Sequence, residues 1–139
     1  MKAAIVTIGD EILLGQIIDT NSVWLTQKLT VLGIDVTEIC SISDKEEAIE
    51  SKVGSLLQKV DIILLTGGLG PTKDDITKKT ISEFLDYKLE FDQQLFIRIS
   101  DYFKKLGIPV TELHRQQCFM PKGARQLQNN MGTAPGMLF

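Results

Sequence analysis

The stretch that most constrains the fold covers residues 62–77, with the sequence IILLTGGLGPTKDDIT. Residues 62–65 form a short apolar run without alternation, which is typical of a strand buried on both faces of a parallel sheet. A turn follows that carries glycine at positions 67, 68 and 70. Asp74 and Asp75 then stand where a helix would begin. The stretch therefore predicts a strand, a glycine turn and a helix in direct succession.

This succession of elements favours a site for an anion. Glycine lets backbone N–H groups approach a ligand closely, and the helix adds unpaired N–H groups and the positive end of its dipole. Phosphate or carboxylate is the usual ligand of such a receptor. Asp74 and Asp75 would repel it, unless a divalent cation joins them to the phosphate oxygens. The alternative is that the glycines serve only a tight turn and the aspartates only cap a helix.

The spacing of the glycines excludes two common nucleotide loops. No Gly-Lys-Ser/Thr follows the turn, as a Walker A loop requires, and the G-x-G-x-x-G pattern of a dinucleotide fold is absent. We interpret the turn as an anion site of another kind.

The rest of the chain alternates strands and helices, which predicts an α/β fold with a mostly parallel central sheet and helices on both faces. Right-handed crossovers would bring Gly9 to Glu11, residues 67–75 and residues 132–136 to one sheet edge. The predicted strands are residues 3–8, 34–42, 62–65 and 124–128, with an apolar loop at 12–18 and a turn at 120–123. The predicted helices start at Asp19, at a capping box in residues 43–47, at Asp75, at Asp92 and at Thr111; Gly33 and Gly107 end the first and fourth.

Length and charge narrow the class of protein. A chain of 139 residues predicts a single domain. The net charge of −3 and the lack of a strongly basic cluster argue against a nucleic-acid partner. No apolar run approaches the roughly 20 residues of a membrane span, and Asp10 and Glu11 interrupt the only stretch that resembles a signal peptide. Cys40 and Cys118 lie far apart, which fits reduced thiols in a cytoplasmic protein.

Three further features of the sequence carry expectations. Trp24 follows the helical spacing of the apolar residues, so we expect it in the core. His114, the only histidine, lacks a patterned Ser or Cys partner, so we expect a surface or satisfied side chain. The apolar triplet 137–139 predicts a strand without a returning partner. We therefore expect the chain to be a domain truncated at its C-terminal end and cut from a longer protein.

Four motifs occur in an order that resembles the molybdopterin-binding domain, in the version found at the N-terminus of the CinA family of competence/damage-inducible proteins. The resemblance runs through nearly the whole chain. The motifs are Gly9-Asp10-Glu11-Ile12-Leu13-Leu14-Gly15, Asp19-Thr20-Asn21-Ser22, Thr66-Gly67-Gly68-Leu69-Gly70-Pro71-Thr72 with Asp74, Asp75 and Thr77, and Gly132-Thr133-Ala134-Pro135-Gly136.

The resemblance implies a three-layer α/β/α domain related to the molybdenum-cofactor biosynthesis proteins. Those relatives bind molybdopterin and, in some branches, adenylylate it. The CinA-type domain is associated instead with hydrolysis of ADP-ribose at its pyrophosphate, using a divalent metal. Many members carry a second domain with nicotinamide-nucleotide deamidase activity. Family members also continue past the Gly-Thr-Ala-Pro-Gly turn, so the isolated fragment could be inactive.

The leading hypothesis is a metal-dependent ADP-ribose pyrophosphatase with Mg²⁺ or a similar ion as cofactor. The predicted catalytic residues are Asp75, Asp74 and Glu11, and the predicted metal ligands are Asp74, Asp75 and Asp10. The predicted ligand-binding residues are Gly9, Asp10, Asn21, Gly67, Gly68, Gly70, Thr72, Thr77, Gly132, Thr133, Ala134, Pro135 and Gly136. Asn21 could equally cap the first helix.

Two rival hypotheses remain. The domain could hold a pterin or nucleotide without doing chemistry, or it could transfer an adenylyl group to a pterin. Association into a homo-oligomer is also left open, because relatives commonly associate.

Overall fold

The computed structural model describes residues 1–70, 72 and 75–139. The chain forms two compact units. Unit 1 contains residues 1–68 and 76–81, and unit 2 contains residues 69–75 and 82–139. Asp74, which the sequence predicts as a catalytic and metal-binding residue, lies outside the described residues.

Unit 1 is built on a parallel sheet. Its strands are β1 (Lys2–Ile8), β2 (Asp35–Ile42) and β3 (Ile62–Thr66), in the order β2-β1-β3. The helices between them are α1 (Asp10–Leu13), α2 (Thr20–Val31) and α3 (Glu46–Leu56). Both neighbours of β1 run parallel to it. The α/β fold class with a parallel sheet is therefore confirmed.

The core of unit 1 explains why β1 is apolar at nearly every position. Ala3 and Ile5 pack with Leu29 of α2 on one face of the sheet. Ala4 and Val6 alternate to the opposite face and are also fully buried. Central parallel strands are covered on both faces, so their sequences do not alternate. In α3, the buried positions Ile49, Val53 and Leu56 follow helical spacing.

Several local predictions for unit 1 are wrong. Trp24 is 57% exposed, because the inward face of α2 is used by Ser22 and Leu29 and the indole points the other way. The predicted capping box at 43–47 does not form, since α3 begins after Lys45 without a side-chain cap. The predicted loop at 12–18 starts inside α1. Strand β3 is only half-buried, since it lies at one end of the sheet rather than in its centre.

Helix α4 (Thr77–Phe84) contributes its first residues to unit 1 and its last three to unit 2. It begins at Thr77, two residues after the predicted start at Asp75. Asp75 is therefore part of the loop before the helix.

Unit 2 combines two short antiparallel ladders with two helices. Strand β4 (Leu89–Phe91) pairs with β5 (Phe119–Pro121), and β6 (Arg125–Leu127) pairs with β7 (Gly136–Leu138). The helices are α5 (Gln93–Lys105) and α6 (Glu112–Gln117). The buried side chains at the centre are Leu95, Ile99, Cys118 and Met120.

The start of α5 confirms its predicted cap, because the Leu95 N–H donates to Asp92 Oδ1 at 2.9 Å. His114 is satisfied within the fold: its Nδ1 accepts from the Thr111 N–H at 3.0 Å, and its ring stacks on Phe103. Two predictions are wrong. Met120 and Pro121 lie in a strand rather than a turn, and the apolar triplet at 137–139 does have a strand partner, β6.

None of the helices in the described ranges has both the length and the apolar character that a bilayer crossing demands.

Candidate functional site

The carboxyl ends of β1 and β3 form the point in unit 1 where a ligand is most easily bound. These strands are neighbours, while the chain leaves β1 for β2 and only later returns to β3 on the other side. The connection that leaves the end of β1 therefore runs toward β2, away from its other neighbour β3. In open α/β sheets, ligands bind in the crevice that such a change of direction leaves at the strand ends. Gly9 follows β1 here, and Gly67 and Gly68 follow β3.

The turn after β3 requires glycine at two successive positions. Gly67 has φ 101°, and a Cβ at this position would overlap the carbonyl oxygen of Ile8. Gly68 has φ 61°, and a Cβ there would overlap Oγ1 of Thr77. The main chain after β3 thus passes directly against the end of β1 and the start of α4. No hydrogen bond joins the N–H of Gly67 or Gly68 to another described residue.

Thr77 is the side chain that most clearly lacks a partner at this point. It is 3% exposed, it is the first residue of α4, and its hydroxyl has no hydrogen-bond partner among the described residues. The hydroxyl of Thr66, the last residue of β3, is also buried and has no partner in the part of the chain that the structure describes. Buried polar groups are nearly always hydrogen-bonded to protein, water or ligand. The two hydroxyls therefore indicate a place where a polar ligand would supply the missing hydrogen-bond partners.

Two carboxylates follow β1 directly. Asp10 and Glu11 form the first turn of α1, both are exposed, and neither makes an ion pair or a side-chain hydrogen bond to a described residue. Glu11 folds back over Gly9, where its carboxylate occupies the space that a Cβ would take. As far as the described residues go, the oxygens of both carboxylates can still accept from a ligand or bind a cation.

Asp19 is a residue of this region that the sequence assigned only to a helix start. Its Oδ1 accepts from the Ser22 N–H at 3.0 Å and caps α2, while its Oδ2 accepts from the Thr7 hydroxyl at 2.6 Å. Burial raises the pKa of Asp19, but the hydrogen bonds from Thr7, Ser22 and Asn21 outweigh it, so the pKa lies below its ordinary value. Asp19 is thus the residue that caps α2, a role for which the sequence also allowed Asn21. The Asn21 side chain is exposed, and its contact with a ligand stays a prediction.

We expect Asp19→Ala to lower the free energy of unfolding by about 1–2 kcal/mol at pH 7, because a helix cap and the bond from Thr7 are both lost. A carboxyl whose pKa is lowered by folding stabilises the fold above its ordinary pKa near 4, and this contribution disappears as the pH falls through the lowered value. Urea unfolding between pH 7 and pH 3 should therefore show the difference from wild type shrinking in acid. Gln27→Ala, at an exposed position of the same helix, should leave stability within about 0.5 kcal/mol of wild type at all pH values. A pH-independent effect of Asp19→Ala would contradict this role.

In unit 2, Asp75 closes the loop that precedes α4. Its Oδ2 accepts from the Thr72 N–H at 2.9 Å and from the Thr72 hydroxyl, and the Asp75 N–H donates to the Thr72 carbonyl at 3.2 Å. Burial raises the pKa of Asp75, but the hydrogen bonds from Thr72 and the Gly70 backbone lower it below its ordinary value. Asp75 is thus a carboxylate at neutral pH. The structure brings Gly70, Thr72 and Asp75 together, as predicted for neighbours in one motif.

The predicted residues Gly132, Thr133, Ala134 and Pro135 lie in the loop of the β6–β7 hairpin of unit 2, and Gly136 begins β7. Within the described part of the chain, no three carboxylate, imidazole or thiol side chains converge as a metal would require. The metal site and the common site for residues of both units stay predictions.

Comparison with known proteins identifies the family. A family model described as "Probable molybdopterin binding domain" matches residues 4–139. A "CinA-like protein" from Flavobacterium psychrophilum is 47% identical over 141 residues, which cover 99% of this chain and 33% of that protein. The chain spans about a third of the length of the curated relatives it matches.

Two solved structures are similar in fold. The crystal structure of the protein CinA from Thermoplasma acidophilum, titled as having unknown function, superposes with a TM-score of 0.87 at 30% identity, covering 98% of this chain and 79% of that one. The molybdopterin biosynthesis enzyme MoaB from Thermus thermophilus superposes with a TM-score of 0.58 at 22% identity, covering 70% of this chain and 61% of that one. The second similarity concerns the fold alone.

Proposed function

This chain belongs to the molybdopterin-binding domain family, in its CinA-like branch, and from that premise we propose that it hydrolyses the pyrophosphate bond of ADP-ribose or a similar nucleotide with the help of a divalent metal. The family resemblance supplies the substrate class. The geometry of the strand ends in unit 1 supports the binding of its phosphates. Because the chain spans a third of its relatives' length, this activity is assigned to the domain and not to a whole protein.

The unpartnered hydroxyl of Thr77 gives the proposal its strongest support. It is buried against Gly68 at the first residue of α4, beside two backbone amides that bind no described residue. A phosphate oxygen would accept from all three groups and would lie near the positive end of the helix dipole. A hydroxyl that served packing alone would be expected to bond a nearby carbonyl instead.

The acidic side chains fit a hard divalent cation. Asp10, Glu11 and Asp75 offer carboxylate oxygens, which Mg²⁺ prefers, and Mg²⁺ is commonly held by one or two carboxylates together with substrate phosphates and water. Three converging protein ligands are therefore not required. When bound, the cation would neutralise phosphate charge and polarise the phosphorus centre. Asp10 is assigned to hold it, with Asp75 and Asp74 as the further candidates from the sequence.

The reaction consumes one water for each ADP-ribose. The water oxygen attacks one phosphorus of the pyrophosphate, the bond from that phosphorus to the bridging oxygen breaks, and AMP and ribose 5-phosphate leave. A carboxylate takes the proton from the water, and Glu11 and Asp75 are the candidates for this base. We assign Gly67, Gly68 and Thr77 to the phosphates. Residues 132–136 stay candidates from the sequence for contact with the nucleotide.

The direct test is incubation of the protein with ADP-ribose and Mg²⁺ or Mn²⁺, followed by chromatography of the products. We expect AMP and ribose 5-phosphate in equal amounts, at a rate that depends on protein concentration and falls to background when EDTA is added. A parallel incubation with AMP, which has no pyrophosphate bond, should give no product. Absence of AMP from ADP-ribose with every divalent metal tried would reject hydrolysis.

A binding module, which would hold a pterin or nucleotide without doing chemistry, is the second candidate. The printed description of the matching family, a probable molybdopterin binding domain, favours it. Isothermal calorimetry with ADP-ribose and with a molybdopterin analogue separates the two candidates. Tight binding without product would support the module, and turnover would support the hydrolase.

A further inference from the structure

One side chain links the two halves of the β6–β7 hairpin loop by hydrogen bonds. Leu127 pairs with Gly136, so residues 128–135 form an eight-residue connection between the two strands. Its tip, Met131, is 95% exposed. A loop of this length needs internal hydrogen bonds to adopt a single conformation.

Asn129 supplies those hydrogen bonds from the interior of the loop. Its Oδ1 accepts from the Met131 N–H at 2.9 Å, and its Nδ2 donates to the Ala134 carbonyl at 2.9 Å. The side-chain amide therefore bridges the ascending and descending halves of the loop. It also fills the loop's inner face, since a Cβ at Gly132 would lie 3.3 Å from Nδ2. The adjacent Asn130 is exposed, and its side chain accepts a hydrogen bond from Gln128 Nε2.

The hydrogen bonds of Asn129 do not involve the backbone N–H groups of the next part of the loop. The N–H groups of Gly132, Thr133 and Ala134 donate to no described residue. Thr133 is half-buried, and its hydroxyl likewise has no partner in the part of the chain that the structure describes. Backbone amides that have no partner among the described residues, in a loop whose conformation a side chain fixes, can each donate to an electron-rich ligand.

We propose that Asn129 is a positioning residue, which pre-forms the 132–134 turn so that the amides of these residues donate to the ligand without further ordering. This proposal rests on the proposed function for the identity of the ligand, ADP-ribose. Asn129 does not touch the reacting atoms. Because it acts by preorganisation, its loss should weaken binding and leave the chemical step unchanged.

The first experiment follows amide hydrogen exchange by NMR in the ¹⁵N-labelled protein. In Asn129→Ala the Met131 N–H loses its acceptor, and we expect its exchange to accelerate by about tenfold or more. In Asn129→Asp the acceptor stays but the donor to Ala134 is lost, so the Met131 N–H should remain protected. Asn130→Ala, the neighbouring control, should exchange as wild type does. Equal exchange of Met131 in Asn129→Ala and wild type would overturn the proposal.

The second experiment measures steady-state hydrolysis of ADP-ribose with Mg²⁺. We expect Asn129→Ala and Asn129→Asp to raise KM by about 10- to 30-fold with kcat within twofold of wild type, and Asn130→Ala to change neither. An unchanged KM, or a loss confined to kcat, would overturn the positioning role. If the wild-type protein neither binds nor hydrolyses ADP-ribose, the proposed function fails, and the exchange experiment alone decides whether Asn129 holds the loop.

Discussion

Asp75→Asn is expected to abolish metal-dependent turnover, with kcat/KM at least about 100-fold below wild type, while the protein stays folded. Asparagine keeps an oxygen that can accept from Thr72, so the loop before α4 retains its closing hydrogen bonds. The negative charge is lost, however, and with it the ability to attract a cation or to accept a proton from water. The effect should therefore be much larger in catalysis than in stability, where only the charge-assisted part of the hydrogen bonds to Asp75 is lost.

Asp101→Asn is a matched control for this substitution. Asp101 is an exposed carboxylate of α5 without an ion pair among the described residues, so the same change of charge should leave kcat/KM within twofold of wild type. Product analysis gives the rates, and circular dichroism during heating compares the stability of the variants. Turnover by Asp75→Asn at the wild-type rate would remove Asp75 from the mechanism.

Gly67→Ala is expected to lower the free energy of unfolding by about 2–4 kcal/mol and to destroy nucleotide binding. Two causes add. The residue must keep φ near 101°, which L-amino acids rarely adopt, and the new methyl group would overlap the carbonyl oxygen of Ile8. That oxygen belongs to the backbone of the central strand, so it cannot move aside as a flexible side chain would. The turn must shift instead, and its amides move with it.

Gly33→Ala separates these two causes. Gly33 also has positive φ, 71°, but a Cβ there meets nothing within 4 Å. Its replacement should cost only about 1 kcal/mol, the price of a left-handed conformation. Urea unfolding and calorimetry with ADP-ribose give both quantities for the two variants. If Gly67→Ala costs no more than Gly33→Ala and still binds ligand, the close approach of the turn to β1 is not needed.

The strand, glycine turn and helix of residues 62–84 could be predicted because each signal is local. An apolar run, two glycines at positive φ and an amphipathic helix can all be read over a few residues. The start of α4 at Thr77 could not be predicted in this way, because Asp75 accepts a hydrogen bond from the preceding Thr72 instead of capping the helix. That choice depends on the folded loop and not on the residue type.

The residues that the sequence missed share a different property. Asp19 was recognised as a helix start, yet its bond to Thr7 joins segments 12 residues apart and leaves no periodic signal. Asn129 and Asn130 are adjacent and identical in type, and only the fold decides that Asn129 points into the loop. Trp24 was misplaced because apolar residues occupy both sides of α2, so spacing alone did not select the buried one.

The outward position of Trp24 has a practical consequence for spectroscopy. It is the only tryptophan in the chain, and Lys28 lies 5.4 Å above its ring. An indole already in water emits at long wavelength before denaturation, so its fluorescence should shift little when the protein unfolds. The same ring should respond strongly to a collisional quencher such as iodide, drawn in by the nearby ammonium group. Emission from Trp24 would therefore report events at the surface of α2, such as docking of another molecule, rather than the melting of the interior.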